Sequence, residues 1–159
     1  MNSSNYADAN VSLTPEGRAE LENELRDLRD VRLPALAARL ADAREDPATR
    51  DEDAGLLELQ EEQGRLDHRA TDLERLLSTA RVVPPSVGGT IRLGSKVEIE
   101  EDGEKEAFRL VDPHEANWSE GRISIISPVG KALMGHKAGE VVGVTLPAGD
   151  RKIKIMSVA

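Results

Sequence analysis

The segment from Asp46 to Asp53 holds four acids and one cation: Asp46, Asp51, Glu52 and Asp53, with Arg50 between them. Three consecutive acids repel one another, and Arg50 offsets only part of that repulsion. Acids at the start of a helix interact favourably with its positive end, so helix capping explains some of them. The other interpretation is that these carboxylates act on something outside the chain.

Other reactive chemistry is scarce. The chain has no cysteine, which removes disulfides, thiolate catalysis and cysteine-ligated zinc. Its three histidines, His68, His114 and His136, lack metal-ligand spacing. No nucleophile, base and orienting group can be proposed together. We therefore expect no enzyme activity, no metal bound by the isolated chain and no cofactor of its own.

Charge and hydropathy exclude further classes. The net charge of -9 argues against clamping of phosphate backbones, so we expect no sequence-specific DNA binding. No apolar run approaches the roughly 18 residues of a membrane span, and residues 1–11 lack the features of a secretion signal. The chain is expected to be a cytoplasmic monomer that makes no membrane contact.

Two helical segments flank the acidic segment. Thr14 followed by Pro15 is a favourable helix start, and a leucine seam then extends for about 30 residues, with Pro34 predicting a bend near residues 30–34. The second segment repeats leucine at intervals of seven: Leu59, Leu66 and Leu73. The short connection predicts an antiparallel hairpin about 45 Å long with the carboxylates at its tip.

The pattern changes after Pro84-Pro85. Alternating strands predict an antiparallel sheet, with Asp102-Gly103 as a hairpin turn, and Ser127 and Pro128 start one short helix. The fold class is therefore α+β. The predicted organisation is a frayed N-terminus over 1–12, a coiled-coil hairpin over 13–83, a linker over 84–89 and a binding domain over 90–159.

Three short motifs stand out along the chain. Leu13-Thr14-Pro15-Glu16-Gly17 lies at the helix start, Glu61-Glu62-Gln63-Gly64 lies beside the predicted tip, and Ser127-Pro128 is followed by Lys131-Ala132-Leu133 and Gly135. Together they resemble the Gre family of bacterial transcription elongation factors, and the last motif is the most specific match. The resemblance implies a coiled coil that enters the secondary channel of RNA polymerase, and an FKBP-like C-terminal domain that grips the channel rim. It implies polymerase contacts at Ser127, Pro128, Lys131 and Lys137.

In cleavage-stimulating members the tip motif is an Asp, two residues, then Glu and Asn. Its two carboxylates help hold a Mg²⁺ ion in the polymerase active site, where hydrolysis of backtracked RNA takes place. Aligned by counting back from Glu61-Glu62-Gln63, this chain has Thr49 at the motif's Asp and Glu52 at its Glu. Aligned by counting forward from Ala43-Arg44-Glu45, in a second register, it has Ala48 at the Asp and Asp51 at the Glu. Neither register restores both carboxylates.

The run from Asp51 to Leu56 instead resembles the tip of the anti-Gre homologues, which inhibit the polymerase. The expected function is thus an inhibitory regulator whose tip residues, Asp51, Glu52, Asp53 and Asp46, approach the catalytic Mg²⁺ of the polymerase. Two alternatives stay open: a Gre-type factor that stimulates RNA cleavage, and a coiled-coil chaperone or adaptor without a polymerase role. Phe108 and Trp118 are too few aromatics for a prolyl isomerase pocket and are expected to be core or interface anchors.

Overall fold

The computed structural model describes residues 11–45, 53–84 and 88–159, with Asp53 and Ala54 described by their backbone alone. These residues form two compact units. Arg18–Ala80 make up the first, and residues 11–17 together with Arg81–Ala159 make up the second.

The helical hairpin contains α1 (Pro15–Asp27), a π-helical turn (Leu28–Arg32), α2 (Leu33–Glu45) and α3 (Asp53–Thr79). Helix α2 packs on α3, which confirms the predicted hairpin. Each helical segment buries one apolar seam, as the leucine spacing predicted. The buried seam residues are Leu21, Leu28, Leu36, Leu40, Ala70, Leu73 and Leu77.

Where the sequence predicted a bend near Pro34, the structure has a π-helical turn. The N–H of Leu33 donates to the carbonyl of Leu28, five residues back, where an α-helix would use four. Pro34 has no N–H to donate, so the carbonyl of Asp30 cannot receive the normal helical bond from it. The wider turn lies just before the proline, and the helical path continues directly into α2.

The second unit is built on a five-stranded sheet in the order β5-β4-β3-β7-β6. Its strands are β3 (Lys96–Glu101), β4 (Glu104–Val111), β5 (Arg122–Ser124), β6 (Val141–Leu146) and β7 (Gly149–Val158). The predicted turn joins β3 to β4, with positive φ at both Asp102 and Gly103, as a tight hairpin requires.

The sheet is mixed, so the prediction of a wholly antiparallel sheet was wrong for β5. Strand β5 runs parallel to β4. The connection over 112–121 contains two 3₁₀ turns, Pro113–Glu115 and Trp118–Glu120, and brings the chain back to the level of Arg109, so that β5 lies beside the last three residues of β4. A further parallel pair, which the sequence did not predict, joins β1 (Ser12–Leu13) to β2 (Arg81–Val82).

One short helix, α4 (Pro128–Leu133), covers the inner side of this sheet. Its Leu133 is fully buried among the aliphatic side chains of the strands. Phe108 is the one aromatic residue in this core, so the module is held together by aliphatic packing. The other buried members are Ile91, Val97, Ile99, Leu110, Ile123, Val142, Val144, Ile153 and Ile155.

Candidate functional site

The predicted acidic tip lies in the sequence between the two arms of the hairpin. Asp46, Asp51 and Glu52 fall outside the described residues, and Asp53 begins α3 with only its backbone described. The described helices end at Glu45 on one side and begin at Asp53 on the other, so the acidic segment connects α2 to α3.

Ion pairs join the two helical segments that carry this tip. The guanidinium of Arg69 makes two hydrogen bonds to the carboxylate of Glu24, of 2.7 and 2.8 Å, and these bonds raise the pKa of Arg69. Arg29 binds Glu74 at 2.9 Å and Asp67 at 3.5 Å. All are partly exposed, so each contributes modestly to stability. Each of the two arginines makes two such contacts, so these pairs align α3 with the opposite arm of the hairpin. We call the two paired arms the shaft.

Ser127 and Pro128 start α4 as predicted. The Ser127 hydroxyl accepts from the N–H of Gly130 at 3.0 Å and donates to the carbonyl of Ser124 at 2.7 Å. Pro128 occupies the first helical position, where a missing N–H costs nothing. The hydroxyl of Ser127 is therefore engaged within the chain, and its visible role is to shape this turn.

Replacing Ser127 with alanine is expected to lower the free energy of unfolding of the second unit by about 1 kcal/mol, the usual value of a helix N-cap. Ser127→Thr keeps both hydrogen bonds and is the matched control. Urea unfolding followed by the fluorescence of Trp118, the one tryptophan, measures both variants. Equal stability of Ser127→Ala and the parent chain would contradict the capping role.

Lys131 and Lys137, the two predicted lysine contacts, are both exposed. Lys137 lies in a turn closed by Glu140, whose carboxylate binds the Nδ1 of His136 at 2.6 Å and the backbone N–H of Lys137 at 3.1 Å. The hydrogen bond from His136, followed by that from Lys137, lowers the pKa of Glu140. The sequence signal for this turn is the spacing of four between His136 and Glu140.

A lowered pKa in the folded chain means that folding favours the ionised form of Glu140. Its contribution to stability is therefore present above the pKa of the unfolded chain and is lost as pH falls through the folded value. His136→Ala is expected to raise the pKa of Glu140 towards its usual value, as measured by NMR titration of the carboxyl carbon. Lys137→Ala keeps the backbone donor and should leave most of the shift. An unchanged pKa in His136→Ala would contradict this cause.

A buried carboxylate, which the sequence did not single out, holds the start of α1. Glu115 is 5% exposed, and its two oxygens accept from the N–H of Thr14 at 3.1 and 3.2 Å. The Thr14 hydroxyl also donates to Glu115 and accepts from the N–H of Gly17 at 3.0 Å, so Thr14 is the predicted N-cap. A Cβ on Gly17 would overlap the Glu115 carboxylate. We call Thr14, Gly17 and Glu115 the helix-start cluster.

The part of the chain that the structure describes contains neither a metal-binding group nor a membrane-spanning helix. Its His, Asp and Glu side chains form no group able to hold a metal ion. None of the helices described is both long and apolar enough to cross a membrane. The rings of Phe108 and Trp118 pack in a tilted arrangement at a centroid distance of 5.0 Å, with Phe108 buried and Trp118 64% exposed.

Fold and sequence together define an α+β protein with a long helical hairpin, an acidic segment connecting its two arms and a module built on a mixed five-stranded sheet. Two family models match it: the N-terminal model of transcription elongation factors over residues 11–82, and the C-terminal GreA/GreB model over 85–159. The chain belongs to the GreA/GreB family of transcription elongation factors.

Two curated relatives agree with this assignment. The transcription elongation factor GreA of Acidiphilium cryptum is 38% identical, with 92% of this chain and 95% of the relative covered. That of Ruegeria pomeroyi is 35% identical, covering 93% and 96%. The crystal structure of GreA factor homolog 1 of Thermus thermophilus is 34% identical, covers 95% of this chain and 99% of its own, and superposes with a TM-score of 0.46.

Proposed function

We propose that the chain regulates transcription elongation by binding bacterial RNA polymerase through its secondary channel. Its tip acids, Asp51, Glu52, Asp53 and Asp46, would then approach the catalytic Mg²⁺. The observation that carries the proposal is a two-helix shaft that ends at an acidic segment, in a chain of the GreA/GreB family. Helix α3 alone has 27 residues, about 40 Å of reach.

The chemistry belongs to the polymerase under this proposal. The factor supplies carboxylates, and carboxylate oxygens are ligands that Mg²⁺ accepts while keeping several waters. The chain needs no metal or cofactor of its own and acts as a non-catalytic monomer in the cytoplasm, where its polymerase works. It reads no DNA sequence, because its net charge is -9.

The mode that we propose is inhibition. A cleavage factor of the family pairs an Asp with a Glu, and here the Asp position holds Thr49 or Ala48 depending on the register. A threonine hydroxyl is a weak neutral ligand and cannot replace a carboxylate. Three crowded acids beside it would capture or displace the catalytic Mg²⁺, or block the route of the nucleoside triphosphate.

The C-terminal module would grip the polymerase through the turn and helix around α4. Lys131 and Lys137 are exposed and available for ion pairs. Ser127 and Pro128 would contribute by fixing the shape of the turn, because the hydroxyl of Ser127 is already bonded inside the chain.

Stimulation of RNA cleavage is the second candidate. It is favoured by the relatives named above, which carry the name GreA and align over more than nine-tenths of this chain. Both candidates use the same shaft and binding module, so they differ only in what the tip does once it reaches the active site.

Transcription on stalled, backtracked complexes separates the two. Inhibition predicts slower nucleotide addition without RNA shortening, and relief of that inhibition by Glu52→Ala. Glu61→Ala, an exposed acid on the shaft, is the matched control and should change neither. Strong RNA shortening that Glu52→Ala abolishes would reject inhibition in favour of cleavage. Absence of any binding to the polymerase would reject both.

A further inference from the structure

Strand β6 forms one edge of the five-stranded sheet. Its sequence, Val-Val-Gly-Val-Thr-Leu, contains no charged residue and no proline, the two features that usually protect an edge strand from pairing with another chain. The side chains of Val141 and Thr145 are exposed on the outer face together with Gly143, and Val141 is 59% exposed.

The backbone hydrogen bonds show which groups of β6 face away from β7. The N–H of Ile155 donates to the carbonyl of Glu140, and the carbonyl of Ile155 accepts from Gly139, so Ile155 points towards β6. The backbone N–H and C=O groups of successive residues in a strand point alternately to its two sides. Those of Ile153 and Arg151 therefore also point towards β6, where they face Val142 and Val144.

The N–H and C=O groups of Val141, Gly143 and Thr145 therefore point outward. They form a row of three donors and three acceptors along the open edge. Such a row is the template that an extended chain uses to join a sheet.

The charged side chains of β7 that lie opposite β6 indicate which kind of partner segment could pair with the edge. Lys152 lies directly opposite Gly143, and Lys154 lies opposite Val141. Both lysines are exposed, and neither forms an ion pair among the described residues. Asp150 lies opposite Thr145, so the positive charge is at one end of the edge.

Gly143 makes Lys152 reachable from outside the sheet. Nothing lies within 4 Å of the position that a Cβ on Gly143 would occupy. A residue added opposite Gly143 would have its backbone about 10 Å from that of Lys152, which a glutamate and a lysine side chain can span together. A side chain at position 143 would stand between them.

We propose that β6 is a strand-addition site for an extended, acidic segment of a protein partner, with an acid opposite Gly143 facing Lys152. A second copy of this chain fits less well. An antiparallel pairing of two β6 strands centred on Gly143 would place the two glycines opposite each other and leave both lysines unpaired. The site goes beyond the proposed polymerase function, and its test requires no polymerase.

The test uses the capped peptide Thr-Val-Glu-Val-Thr and a matched peptide with lysine in place of glutamate, titrated into the ¹⁵N-labelled chain. The glutamate peptide should slow amide exchange at Val141, Gly143 and Thr145. It should bind about fivefold more tightly than the lysine peptide, as expected for one cross-strand charge pair. Lys152→Glu should reverse this preference.

Two further variants separate backbone pairing from charge. Thr145→Pro removes one outward N–H while keeping the ladder to β7, and should weaken both peptides. Gly143→Val should keep the fold and remove the advantage of glutamate. Equal binding of the two peptides, or shifts located away from β6, would overturn the proposal. Concentration-dependent protection of the same amides without peptide would also overturn it, because the occupant would then be a second copy.

Discussion

Gly17→Ala is expected to lower the free energy of unfolding of the second unit by about 3 kcal/mol, the range for disrupting a buried, charge-assisted hydrogen-bond network. The added methyl would occupy the space of the Glu115 carboxylate. That group would have to move and release the N–H and hydroxyl of Thr14, both buried. Alanine's better helix propensity, at most about 1 kcal/mol, cannot compensate for this.

Gly64→Ala is the matched control. Gly64 is exposed within α3, and nothing lies within 4 Å of its Cβ position. Here the propensity gain stands alone, so we expect stabilisation of the hairpin by up to about 1 kcal/mol. Urea unfolding followed by Trp118 fluorescence for the second unit, and by circular dichroism at 222 nm for the helices, separates the two effects. Loss of stability in both variants, or in neither, would contradict the helix-start cluster.

The helical hairpin could be predicted because its information is local. Thr14-Pro15 sets the helix start, and that prediction is confirmed. Of the leucines spaced by seven, Leu73 is buried, whereas Leu59 and Leu66 are half-buried on the same seam. The same holds for the β3–β4 hairpin, where Asp102-Gly103 determines the turn. In each case a few neighbouring residues decide the geometry.

Features that depend on distant residues were not predictable. Thr14 and Glu115 are separated by 101 positions, and nothing near Glu115 in the sequence distinguishes it from an exposed acid. The parallel direction of β5 depends on how ten residues with two short turns cross the sheet. The pairing of β1 with β2 likewise joins the segment that precedes the hairpin in the sequence to the one that follows it.

The candidate site divides in the same way. The roles of Ser127 and Pro128 in starting α4 follow from neighbouring residues, whereas the buried contact of Glu115 with Thr14 joins distant ones. What the acidic tip does stays a prediction, because its chemistry depends on the partner that it approaches. The absence of an Asp at position 49, where the chain has Thr49, is read from the sequence alone, and the transcription assay tests its consequence.

Glu115→Ala is expected to destabilise the second unit by about 3 kcal/mol, because the N–H and hydroxyl of Thr14 lose their buried acceptor. Glu115→Gln should cost less, about 2 kcal/mol, because one oxygen still accepts while the amide NH₂ faces a donor. Urea unfolding followed at Trp118 measures both. A loss below 0.5 kcal/mol for Glu115→Ala, the size typical of a surface substitution, would show that Glu115 does not hold the start of α1.

Combining the two substitutions gives the sharper measurement. With the Glu115 side chain removed, the methyl of Gly17→Ala has room, so the second substitution should cost almost nothing. The double variant is therefore expected to be about as stable as Glu115→Ala alone, a coupling energy of about 3 kcal/mol. Additive losses would mean that Gly17 and Glu115 act independently, and that the close approach of the carboxylate to the helix start does not require the glycine.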